Sequence, residues 1–330
     1  MDIIRISLHD QALLHATFQT YAAADACGRV LPATWQWPEF LAHLTHPDPG
    51  APIEYFAGLV DGEVVTMAIA QAPVKDNTHA LWGEVYTPPQ HRRRGYGRAM
   101  ATQQKDYARV LGRRVHIAEA VTPLDGSASA GALFAEALGY QLDLEDVRRV
   151  LTLPVGAALL DELASKAAPH HGDYWLTSFT LVPDELIRPY ASIQGRFATL
   201  VPQGELGVWE AEVVDEARVR SQEAQLEASG RTRYTTVARY GNQIAGYTEL
   251  VHSTADGNVY QWATMVEPGH RGHRLGLALK VANQRWLQSE QPNARAVLTW
   301  NAGVNDHMIA INDRLGFNPD ERLREYAIRL

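Results

Sequence analysis

One motif occurs twice in this chain at a nearly constant interval, and that repeat sets what the chain can fold into. Pro89-Gln90-His91-Arg92 aligns with Pro268-Gly269-His270-Arg271, an offset of 179 residues. The same offset carries Gly97 onto Gly276 and Gly62 onto Gly241. Leu138-Gly139-Tyr140 aligns with Leu315-Gly316-Phe317 at an offset of 177, which also carries Leu153 onto Leu330. Self-similarity at one period implies repeated structural units. The expected organisation is two similar domains, 1–153 and 174–330, joined by a linker, 154–173. In the linker Leu159, Leu160 and Leu163 stand at helical spacing, so Ala157 to Ala168 reads as a connecting helix. A length of 330 residues, 46% of them hydrophobic, lets each half bury its own core.

The two halves follow one plan. Alternating residues (Ile4, Ile6 and Leu8) read as a first strand, and Trp175 to Thr180 as its counterpart. Leu13, Leu14 and Phe18 mark a helix, as does the stretch from Leu186 to Ala198. Gly62 and Gly241 each sit between two strand-like runs and read as hairpin turns. A further strand (Leu81 to Thr87; Tyr260 to Val266) runs into the repeated arginine–glycine turn, and a helix follows. A strand, a short helix ending at Leu-Gly-aromatic and a last strand complete each half. The fold class is α+β: two tandem domains, each a mostly antiparallel mixed sheet flanked by helices.

A turn that feeds a helix leaves backbone N–H groups unpaired at the positive end of the helix dipole. Glycines let that backbone approach a ligand closely. Arg92, Arg93, Arg94 and Arg98 surround Gly95 and Gly97, which makes this turn a phosphate cradle. The phosphate-loop pattern G-x-x-x-x-G-K-[ST] and the dinucleotide pattern G-x-G-x-x-G are both absent.

Composition narrows the rest. The formal net charge of −8 argues against a general nucleic-acid binder and is compatible with a small cationic partner. Cys27 is the single cysteine, which excludes an intrachain disulfide and a cysteine-rich metal site. The start MDIIRISLHD lacks the apolar core of a signal peptide, and no apolar run reaches membrane-spanning length. A soluble cytoplasmic protein is expected, with monomer and homodimer both open.

The stretch Thr87-Pro88-Pro89-Gln90-His91-Arg92-Arg93-Arg94-Gly95-Tyr96-Gly97, with a later helix ending in Leu-Gly-Tyr, resembles the GNAT N-acetyltransferase family. The resemblance covers nearly the whole chain, once per half, and is similar in arrangement to tandem members such as mycothiol synthase. It implies acetyl-CoA as donor and the amine of a small molecule as acceptor. It implies that Val85 and Thr87 pair with the pantetheine arm, and that backbone amides of Arg93, Arg94, Gly95, Tyr96, Gly97 and Arg98 hold the diphosphate. The corresponding set in the second half is Thr264, Val266, Arg271, Gly272, His273, Arg274, Leu275 and Gly276, with Asn301 and Asn305 after the later strand. Arg274 stands where the first glycine is expected, so cofactor binding is favoured in the first half. The second half has the more polar cleft, through Tyr247 and Glu249.

Acetyl transfer to an amine needs a base and benefits from an acid. Glu84 and Glu249 are the base candidates, and Tyr247 a candidate acid. The family's usual acidic tyrosine is replaced by Ala135 and Asn312. This absence motivates the alternative of a non-catalytic acyl-CoA sensor with degenerate sites.

Overall fold

The structure, a computed structural model, describes residues 1–330. The first half contains β1 (Asp2–Arg5), α1 (Gln11–Asp25), α2 (Trp37–Thr45), β2 (Ile53–Val60), β3 (Glu63–Gln71) and β4 (Ala80–Tyr86). It continues through α3 (Tyr96–Val110), β5 (Val115–Pro123), α4 (Ala130–Ala137) and β6 (Gln141–Thr152). Helix α5 (Ala157–Ala167) connects to β7 (Trp175–Phe179), α6 (Asp184–Gly195), α7 (Phe197–Leu200) and α8 (Glu216–Ala228). Then come β8 (Arg231–Tyr240), β9 (Gln243–Ser253), β10 (Val259–Val266), α9 (Leu275–Glu290), β11 (Ala296–Ala302), α10 (Asp306–Leu315) and β12 (Asn318–Arg329).

Local chemistry fixes the boundaries of these elements. Asp10 caps α1 by accepting from Leu13 N at 2.9 Å, and Ser129 caps α4 through Ala132 N. Asp61-Gly62, both at positive φ, close the β2–β3 hairpin. Period-two alternation then sends successive side chains to opposite faces. In β3, Met67 and Ile69 pack with Leu14, Tyr21 and Phe40, whereas Ala68 and Ala70 pack with Met100 and Ala108. Helices α1 and α2 therefore cover one face and α3 the other. The second half repeats this: Tyr247 packs with Tyr190 and Val219 on one side, and Leu250 with Leu277 and Val281 on the other.

The twelve strands form one sheet in the order β1-β2-β3-β4-β5-β12-β6-β11-β10-β9-β8-β7. Only β4–β5 and β10–β11 are parallel. The centre departs from two separately closed domains. Strand β12, the end of the second half, enters beside β5, from Glu321↔Pro123 to Arg329↔Val115. Strand β6, the end of the first half, pairs with β11, from Ala296↔Thr152 to Ala302↔Asp146. The repeat explains the exchange: when two units are alike, the strand that ends one can complete the other. The boundary read at residue 153 follows the repeat in sequence, but the sheet runs across it.

Ion pairs bind the halves further. Arg218 of α8 is buried between Asp48, Asp76 and Glu212, and Arg231 pairs with Glu39 of α2. No helix is long and apolar enough to cross a membrane.

Candidate active site

The two arginine–glycine turns have the same shape. After β4, Arg92 Nε donates to Thr87 O at 2.9 Å and holds the corner closed. Arg93 (φ 64°) and Gly95 (φ 89°) take left-handed conformations, and α3 starts with no side-chain cap. The first amide to find a carbonyl in the helix is that of Ala99, on Gly95 O at 3.0 Å. The N–H groups of Tyr96, Gly97 and Arg98 therefore stay unpaired and point out of the corner. After β10, Gly272 (φ 89°) and Arg274 (φ 51°) occupy the equivalent places, and Ala278 N bonds Arg274 O. Glycine and arginine have exchanged positions between the halves. A left-handed arginine costs about 1–2 kcal/mol, and each turn carries one. Arg274 does not fill its turn, because its Nη1 donates to Lys166 O at the end of α5. Arg93, Arg94 and Arg98 are exposed and make no ion pair. Gly97 is close-packed: a Cβ there would lie 3.2 Å from Thr87 Oγ1 and 3.4 Å from the Phe134 ring.

Below the first turn the sheet opens. Strands β4 and β5 pair only from Ala80↔Val115 to Trp82↔Ile117 and then part, since β5 continues alongside β12. On the α1 side of this wedge stand Glu84 and Tyr86 of β4 and Glu119 of β5. Glu325 of β12 lies directly across from Glu119, and Asp146 of β6 is opposite Leu323, one strand further. Tyr86 Oη donates to the Glu84 carboxylate, and the Tyr21 ring meets Tyr86 edge-on at 4.8 Å.

The arginines of this face are already engaged. Arg29 bridges Asp25 at 3.0 Å and Glu321 at 2.6 Å, and buried Arg148 bridges Asp320 at 2.5 Å and Glu321 at 2.8 Å. Glu84, Glu119, Asp146 and Glu325 have no cation at ion-pair distance. Burial pushes Glu84 up to about 7, with the Asp25 charge adding to it and the Tyr86 hydroxyl and Arg29 opposing it. Glu119 is raised well above the carboxylate range by burial and by Glu84, Glu325 and Asp146. Burial also raises Glu325 to about 7, helped by Asp143 and Asp146, and raises Asp146 to about 6.

A strap from the second half, residues 203–213, closes one end of the wedge. The Asp143 carboxylate accepts from the amides of Glu205, Leu206 and Gly207, at 2.7 Å for the last. Asn77 Oδ1 accepts from Glu210 N and Asp76 Oδ2 from Val213 N. Trp209 stacks on Trp82 with centroids 5.1 Å apart, and Leu206 packs beside it.

The second cleft is filled. Strands β10 and β11 part after Tyr260↔Leu298, next to a bulge at Gln261/Ala263. Lys280 Nζ donates to Gln261 Oε1 at 3.1 Å and to Asn312 Oδ1 at 3.0 Å, and Asn312 Nδ2 donates to Asn301 Oδ1 at 2.7 Å. Burial lowers Lys280 to about 7. On the opposite face the residue 179 beyond Glu84 is Ala263, packed with Tyr190 and Tyr247. Nearby Tyr260, Leu298 and Trp300 are covered by Leu31 and Ala33.

These placements correct part of the sequence reading. Tyr247 (1% exposed) and Glu249 (3% exposed) lie in the core between sheet and helices, not on a cleft wall. Glu249 accepts from Tyr190 Oη and faces Arg233 at 3.6 Å, so its charge is already answered. The more polar open cleft is in the first half. Asn305 is the N-cap of α10, accepting from Met308 N, and Asn301 is held by Asn312. Thr87 follows the end of β4 and Thr264 lies within β10, bonded to Thr66 and Thr248. Val85 and Val266 are partly buried against α3 and α9 residues. Glu84 is where the sequence put it. Glu119, Asp146 and Glu325 were missed; the one signal was Glu119, a charge inside the apolar run His116-Ile117-Ala118-Glu119-Ala120-Val121.

Comparison with known proteins agrees with this geometry. Residues 19–140 match the model of the acetyltransferase (GNAT) family. No curated protein matches the chain in sequence. Among solved structures, a tandem GNAT protein from the clavulanic acid biosynthesis pathway shares 25% identity, with 99% of this chain and 98% of that one covered and a TM-score of 0.79. A GCN5-related N-acetyltransferase from Sphaerobacter thermophilus shares the fold at 15% identity, 99% and 95% coverage and a TM-score of 0.62. A putative acetyltransferase from Pyrococcus horikoshii does so at 11% identity, 100% and 89% coverage and a TM-score of 0.58. Fold, corner and family match together place a GNAT acetyltransferase domain in the first half of the chain. Over its full length the chain has the tandem GNAT arrangement of that first structure, one such unit following another and the two sheets fused through exchanged strands. Acyl transfer from an acyl-CoA is the activity this supports at the level of the family.

Proposed function

We propose that the first half is the working site of an acetyl-CoA-dependent N-acetyltransferase whose acceptor is a small amine. The observation that carries this is an uncapped helix corner above a carboxylate, Glu84, that is bonded by the Tyr86 hydroxyl and has no cation partner. The free amides of Tyr96, Gly97 and Arg98 suit the diphosphate, with Arg93, Arg94 and Arg98 adding charge around it. The parted edges of β4 and β5 suit an extended pantetheine arm. Bound there, acetyl-CoA supplies an activated acetyl group: the amine forms the C–N bond, the C–S bond breaks, and CoA leaves as the thiol.

Glu84 removes the first proton. An amine arrives as an ammonium and must lose that proton before its lone pair can attack. A carboxylate raised to about 7 matches this task near neutral pH. The second proton on nitrogen is lost after attack and accompanies the sulfur. That proton balances the departing thiol, so the scheme needs no side-chain acid at position 135, where Ala135 offers no hydroxyl. The second half is structural: the Lys280–Asn312–Asn301 chain fills its cleft, and Ala263 offers no base.

The test is thiol release from acetyl-CoA with a panel of small amines. Glu84→Gln is expected to lower kcat by about 10²–10³-fold while acetyl-CoA affinity, read by calorimetry, stays the same. An undiminished kcat would remove Glu84 as the base.

A further inference from the structure

We infer that the acceptor carries a second cationic group, held by Glu119, Asp146 and Glu325 while its reacting amine lies at Glu84. This rests on the reading of the first wedge as the acceptor site. A carboxylate shielded from water is normally paired, because leaving it unanswered is costly. Here buried Glu325 and half-buried Glu84, Glu119 and Asp146 share one face of the sheet with no cation at ion-pair distance. Glu325 is 7% exposed and its Oε1 has no hydrogen-bond partner. Its place opposite Glu119 sets two carboxylates against each other across a ladder, an arrangement that is unfavourable without a cation between them.

The neighbours do not supply that cation. Arg29 and Arg148 are bound to Asp25, Asp320 and Glu321, and Asp143 accepts from the strap amides. The carboxylates are also spread out. No three acidic or histidine side chains gather closely enough to hold a metal ion. Glu84 on β4 and Glu325 on β12 are two strand spacings apart, about 10 Å. One ammonium cannot serve both, but a chain with two can, the first at Glu84 and the second at the Glu119–Glu325 pair with Asp146 on the next strand. The apolar surface beside them suits its methylenes: Trp82, Ile117 and Ala327 stand one alternate position along from Glu84, Glu119 and Glu325, next to Leu206 and Trp209. Each ammonium donates three hydrogen bonds, and bonds between ions are the stronger kind.

The experiment compares α,ω-diamines of three to eight methylenes with primary monoamines of the same lengths. The full chain is used, with acetyl-CoA. At least one diamine is expected to exceed its monoamine in kcat/KM by about 100-fold, the size of one to two charge-assisted hydrogen bonds. Glu119→Gln, Asp146→Asn and Glu325→Gln should each lower the diamine-to-monoamine ratio about tenfold or more, in variants whose melting temperature confirms folding. A loss of rate that is merely structural would leave that ratio alone. Ratios near one at every length, or ratios untouched by all three variants, would overturn the inference and leave acetyl transfer standing. Calorimetry separates the remaining outcomes. Diamine binding without turnover would support the second cation site and count against acetyl transfer, while failure of every diamine to bind or react would overturn the inference.

Discussion

Replacing Glu84 by glutamine should stabilise the protein above neutral pH even as it removes activity. The carboxyl is raised from its ordinary value near 4.5 to about 7, chiefly because the β4 wedge keeps it from water. Between those values the folded chain keeps a proton that the unfolded chain has already lost. Stability therefore falls as pH rises from 4.5 to 7, and the penalty is complete above 7. A displacement of that size corresponds to about 3 kcal/mol. Glutamine has nearly the same shape, and its Oε1 can still accept from Tyr86 Oη, but it does not titrate. Urea unfolding followed by tryptophan fluorescence would compare the two proteins at pH 4.5 and pH 8. The variant should match the parent within about 1 kcal/mol at the lower pH and exceed it by about 3 kcal/mol at the higher. A variant that gains nothing between the two pH values would show that the wedge does not disfavour the charge, and the assignment of Glu84 as a tuned base would fall with it.

Four other outcomes are expected. Because Glu84 must be ionised to act, kcat/KM should rise about tenfold per pH unit below 7 and level off above it; the same profile in Glu84→Gln would contradict this. Gly97→Ala puts a methyl group 3.2 Å from Thr87 Oγ1 and should weaken acetyl-CoA binding about tenfold, as read by calorimetry. Lys280 is lowered to about 7, so the folded parent gains stability as pH rises from 7 toward 10.5; Lys280→Met should abolish that gain in urea titrations at pH 7 and pH 10 without slowing turnover. A fragment ending at residue 153 lacks both β12 and β11 and should not fold alone, whereas its coexpression with 154–330 should return a soluble complex.

What the sequence made legible was local. The corner at Arg92 to Arg98 depends on residues adjacent in the chain, so glycine, arginine and the strand and helix around them were enough to locate it. Glu84 was legible for the same reason, lying just ahead of that corner. The offset of 179 exposed the duplication, and with it the fold class. The acidic face was not legible, because Glu119 and Glu325 are more than 200 residues apart in the chain and meet only through strand exchange. Nothing in either half marks which partner its last strand will take. Glu249 misled in the opposite sense. A charge on a strand near a cleft looks available until Tyr190 and Arg233, from other elements, are seen to close over it. Arg274 looked obstructive in sequence, but its reach to Lys166 depends on where α5 docks.

The most direct measurement is a crystal structure of the chain with CoA joined covalently to a diamine. The diphosphate should lie on the amides of Tyr96, Gly97 and Arg98, with the sulfur between the parted β4 and β5 and the amine beside Glu84. Density for the ligand only at the Leu275 to Leu277 corner, with the first wedge closed, would contradict the account.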